Sequence, residues 1–149
     1  MKIKTLKAIA AGIGVCFGLI PDCNGAVCKN KLTYKAEIPI IRIAAERNGI
    51  AYGSDDWYIL LAIRFAENGC DGLQFGIMNP KAYNLDLQAA WCAATIVKNR
   101  ARWAESDKSK TFIEFLANRY CPAECDKEGN HNWKHNVGYW FERLHREKT

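Results

Sequence analysis

The run Leu87 to Val97, LQAAWCAATIV, carries apolar residues on nearly every side of a helix, and no other stretch constrains the fold so tightly. A helix of that kind must be surrounded by other elements, and the segments around it read as helices too. The first covers Ile38 to Asn48, with Pro39 in its first turn and Gly49 just past its end. A second starts at the capping and acidic residues Ser54, Asp55 and Asp56 and runs to Glu67 or Asn68, where Gly69 stops it. The central helix spans Asp86 to Trp103 and emerges into solvent from Lys98 to Arg102. The fourth spans Thr111 to Tyr120, and the fifth starts near Asn132 with Trp133, Val137, Trp140, Phe141 and Leu144 at helical spacing. Only Gly69 to Asn84 has room for a short hairpin. The expectation is an all-α, or nearly all-α, domain of about five helices around a buried central one.

The first residues have a different character. Lys2, Lys4 and Lys7 precede the uncharged run Ala8 to Ile20, then Pro21 and small residues through Ala26, which together read as a secretory signal peptide over 1–26. The apolar run is shorter than the roughly 20 residues a bilayer-spanning helix needs, so a cleaved leader is favoured over an anchor. The expected organisation is a leader over 1–26 and one domain over 27–149, exported to the periplasm or secreted, touching a membrane only through an uncleaved leader. Removal of the leader lowers the formal charge from +5 to about +3. The basic residues are dispersed and form no tract with aromatics, which argues against nucleic acid as a partner.

Seven cysteines become five on cleavage, Cys28, Cys70, Cys92, Cys121 and Cys125. In an exported chain they are disulfide candidates. The odd number leaves a thiol, for which Cys92 in the apolar helix is the choice, and Cys121 and Cys125 are expected to be oxidised. Cys121, Cys125, His131 and His135 also form a set of zinc-type ligands, but their middle gap is much shorter than in a zinc finger. A disulfide is favoured there, and neither metal nor cofactor is assigned.

The stretch Ile59 to Pro80, ILLAIRFAENGCDGLQFGIMNP, holds the chemistry. At 100° per residue Glu67 lies in line with Leu60 and Ile63, so its carboxylate follows the apolar stripe. Desolvation there raises a carboxyl pKa, as a general acid at neutral pH requires. The plainer reading is a glutamate at a helix end paired with Arg64 one turn earlier.

An apolar helix closing on Ala62-Ile63-Arg64-Phe65-Ala66-Glu67, a Gly-rich turn, the element Gly76-Ile77-Met78-Asn79-Pro80 and a buried helix from Leu87 resemble the soluble lytic transglycosylases and goose-type lysozymes of the lysozyme-like superfamily. The segment Phe112 to Pro122 stands where that family has its Ala-Tyr-Asn-Ala-Gly helix. The resemblance covers roughly residues 55–122. It implies cleavage of peptidoglycan glycan strands between N-acetylmuramic acid and N-acetylglucosamine by a monomer, with Glu67 as the catalytic acid/base. It places Asn68, Gln74, Met78 and Asn79 at the sugar, and Tyr83 and Tyr120 are further candidates as aromatic rings that stack on pyranose faces. Asn68 replaces the family's usual Ser, and Asn79, with Gln74 as the alternative, stands for its Gln.

A two-carboxylate hydrolase needs a second acid facing the first across the bond. Asp71, four residues on in a turn, and Asp86, a natural helix cap, are the candidates. A single glutamate favours transglycosylation, in which the sugar's own hydroxyl attacks and leaves an anhydro-muramoyl end. The alternatives are a phage-type hydrolytic endolysin and a lysozyme-like binding module or inhibitor without catalysis. Of the aromatic residues, Trp57, Trp91, Trp133 and Trp140 fit core stripes, whereas Tyr83 and Tyr120 are free to contact substrate.

Overall fold

The computed structural model describes residues 31–147, and all of its regular elements are helices: α1 (Lys31–Arg47), α2 (Asp55–Glu67), α3 (Leu85–Ala104), α4 (Phe112–Tyr120) and α5 (Lys127–Arg146). The all-α expectation is met, and Gly69 to Asn84 contains turns and no hairpin. The leader and the cleavage point lie outside the described residues. No described helix is long and apolar enough to cross a membrane.

The helix starts follow from their caps. Ser54, Asn84, Thr111 and Asp126 each accept a backbone N–H of the first turn, and Thr111 and Glu114 form a reciprocal capping box. Two starts differ from expectation. α1 begins at Lys31, so Pro39 lies inside the helix; it is exposed, on a side where water can satisfy the carbonyl its missing N–H leaves behind. α5 begins at Lys127, because the Asp126 side chain takes the Gly129 N–H at 2.8 Å.

α2 packs most extensively on α5, and α1 on α3; α4 lies against both α3 and α5. α3 has three helical neighbours but keeps a solvent face at Val97 and Lys98. The helix enclosed on every side is α2, whose residues Ile59 to Arg64 are all buried. Leu60, Ile63, Phe75, Ile96, Leu116 and Val137 form the centre of the core.

The 120s loop is held by polar contacts. Asn130, buried in α5, donates through Nδ2 to the Cys121 carbonyl at 2.7 Å and to Asn118 Oδ1 at 3.1 Å. Cys125 and Asp126 turn back onto the Pro122 carbonyl. The expected oxidation of Cys121 and Cys125 is corrected here: both are thiols, and Asn130 supplies the fixing that a bridge was expected to give. Cys92 is a buried thiol as expected, and Cys70 is disulfide-bonded.

Candidate active site at the end of α2

Glu67 is the last residue of α2 and is only 7% exposed, beneath the turn of Gly76. Its Oε1 accepts the indole N–H of Trp133 at 3.0 Å, a bond that ties α2 to α5. A Cβ on Gly76 would come within 2.4 Å of Oε2, so the backbone of that turn lies directly against the carboxylate. Gly76 also has φ +68, a left-handed conformation that side chains resist.

Burial lifts the Glu67 carboxyl from its ordinary value to about 7; the Trp133 N–H, which favours the anion, opposes this. The plainer alternative, pairing with Arg64, does not occur. Arg64 instead turns to α1 and grips Glu37 with a two-point fork, at 2.7 and 2.9 Å, while its third nitrogen donates to the Gln74 carbonyl at 3.3 Å. Glu67 therefore keeps its proton affinity near neutrality.

Under the site lies a buried aromatic stack. Trp133 lies face to face with Tyr120, their ring centroids 5.0 Å apart, and the Tyr120 hydroxyl meets the Cys92 sulfur at 2.9 Å. Burial pushes the Cys92 thiol up to about 12 and the Tyr120 hydroxyl well above its ordinary value, and the Glu67 charge adds to both. Neither ionises near neutral pH, so the stack is a neutral floor.

The residues assigned to the sugar divide into two groups. Asn68, Met78, Asn79 and Tyr83 are exposed around the loop that follows Glu67, and Tyr83 is 70% exposed. Asn68 has φ 42 and caps α2, a conformation Asn tolerates better than most residues, which gives a backbone reason for Asn there. Asn79 turns its side chain onto the Lys81 N–H. Tyr120 and Gln74 are corrected from surface contacts to supports: Tyr120 is 1% exposed with its hydroxyl engaged, and the Gln74 amide oxygen accepts the Gly72 N–H.

Three contributors went unassigned in the sequence: Trp133, Gly76 and Gln88. Trp133 sits on the core stripe of α5 and belongs to core and site at once. Gln88 is fully buried; its oxygen accepts the N–H groups of Phe75 and Ile77, and its nitrogen donates to the carbonyls of Gly72, Ile77 and Ala82. One amide on α3 thus shapes the loop that covers Glu67. An amide interrupting an apolar helix is the signal that could have found it.

Of the second-acid candidates, Asp86 is bound to Arg47 and Asp71 is exposed on the loop. Among the described residues no group of three or more His, Cys, Asp and Glu side chains is placed to hold a metal ion. His131 and His135 line a groove between α4 and α5 with Glu114 and Glu142. None of the protein-family models, curated proteins or solved structures compared with the chain matches it.

Proposed function

We propose that the chain cleaves the glycan strands of bacterial peptidoglycan outside the cytoplasm, as a lytic transglycosylase, with Glu67 first as acid and then as base. The observation that carries this reading is Glu67 itself: a carboxyl buried at a helix end, held by an indole N–H and lifted to about 7. Such a group is protonated often enough to donate to a leaving glycosidic oxygen, and its anion is basic enough to take a proton back. In the second step it would remove the proton from the muramoyl sugar's own hydroxyl, which closes onto the anomeric carbon and yields an anhydro end. Burial and the Trp133 N–H, not a neighbouring carboxylate, set the Glu67 carboxyl, which favours a one-carboxylate route over a double displacement.

The test is Glu67→Gln, which keeps the shape and can still accept the Trp133 N–H but has no proton to give. Clearing of a purified cell-wall suspension should fall by a factor of about 10²–10⁴, with the fold intact by circular dichroism. Mass analysis of the digest by the unaltered chain should show anhydro ends. Reducing ends would instead identify a hydrolase, and glycan binding without turnover, equal in both forms, would identify a binding module.

A further inference from the structure

On the solvent face of α3, against the end of α4, lies a groove of about 420 Å³ lined by Trp91, Thr95, Lys98, Asn99, Arg102 and Arg119, among others. The volume is within the roughly 300–1,000 Å³ range of small-molecule sites. Three cations line it and no acid does. Lys98, Arg102 and Arg119 have no ion-pair partner among the described residues, whereas Arg42, Arg47, Arg64, Arg100 and Arg143 all have one. Arg102 and Arg119 occupy the last turns of α3 and α4, where the helix dipole favours a cation. That explains their sign but not their convergence with Lys98, which lies a turn earlier on α3.

The rest of the lining is suited to a ring bearing hydroxyls. Trp91 is half-buried and borders the groove. Asn99 is 4% exposed, and its Nδ2 donates to the Thr95 carbonyl at 2.8 Å, while its side-chain Oδ1 takes no hydrogen bond from a described residue and remains an acceptor.

We propose that this groove binds a sugar phosphate, the phosphate between Lys98, Arg102 and Arg119 and the ring against Trp91. A phosphate monoester carries about −1.5 to −2 charges at pH 7, which calls for more than one cation, and a guanidinium fork matches its oxygens. The proposal is independent of the cleavage reaction at Glu67.

Calorimetric titration of the full chain with N-acetylglucosamine 1-phosphate tests it, with N-acetylglucosamine and inorganic phosphate as comparison probes. The sugar phosphate should bind more tightly than either. Replacing Arg102 and Arg119 together by Ala should weaken it by about tenfold or more, and Lys127→Ala, outside the groove's lining, should leave it unchanged. Trp91→Ala should weaken the sugar phosphate but not inorganic phosphate; if that variant unfolds, the arginine pair decides the question alone. Equal affinity for the sugar phosphate and inorganic phosphate, no loss in the arginine variant, or the same loss in Lys127→Ala would overturn the proposal.

Discussion

Glu67 is set by two opposing influences, and each gives an experiment. Burial raises its pKa to about 7 and the Trp133 N–H pulls it down. If Glu67 is the general acid, kcat/KM should fall as pH rises through about 7, because the protonated form is the donor. Trp133→Phe removes the influence that favours the anion, so the same limb should move to higher pH; a limb that stays in place would break the link between this indole and the chemistry. Stability follows the same equilibrium. The folded carboxyl binds its proton more tightly than the unfolded one, so the stabilisation is complete below the unfolded pKa of about 4.5 and is lost as pH rises through about 7. The wild type should therefore lose up to about 3 kcal/mol over that window, and Glu67→Gln should lose much less in urea titrations at pH 5 and pH 8. The position of Glu67 was legible in the sequence because Leu60 and Ile63 mark the buried line. Its partner was not, because nothing local connects Glu67 to an indole 66 residues away.

At the scale of elements, α2 and the loop after it form one unit. The left-handed Asn68 ends the helix, Gln88 pins the loop from α3, and Gly76 closes over the carboxylate. Gly76→Ala should disturb both backbone and site: the left-handed conformation costs about 1–2 kcal/mol, and the added methyl group must displace Glu67. A lower melting temperature with a larger fall in wall clearing than in glycan binding is the expected pattern. An alanine variant with full activity would mean that the close contact has no part in holding the acid. Helix boundaries that depend on local signals were readable, as at Ser54, Thr111 and Gly49. The starts of α1 and α5 were misplaced by several residues, because an exposed proline is tolerated inside one and a side chain outside the apolar stripe, Asp126, starts the other. The 120s loop misled for a related reason: with few apolar residues to fix it, a bridge was expected to hold it, while Asn130 in the following helix supplied the bonds.

For the molecule as a whole, Arg64 joins α1, α2 and the loop at Gln74 through a buried ion pair with Glu37. The sequence offered Glu67 as its partner at helical spacing, but a partner on α1 wins because Glu37, itself 7% exposed, needs a cation as much as Arg64 needs an anion. This choice leaves Glu67 unpaired and able to hold its proton, so the contact that braces the fold also sets the chemistry. Arg64→Met should cost about 3–5 kcal/mol, because it strands the Glu37 charge in the interior. Adding Glu37→Leu should recover most of that loss, since removing both members of a buried pair is far less costly than removing one. The double variant still lacks the donor to the Gln74 carbonyl, so the loop over Glu67 should be looser and wall clearing reduced even where the urea midpoint is restored. If single and double variants unfold at the same urea concentration, the pair does not brace α1 against α2. Recovery of stability and activity together would show that Arg64 acts on the site only through the fold.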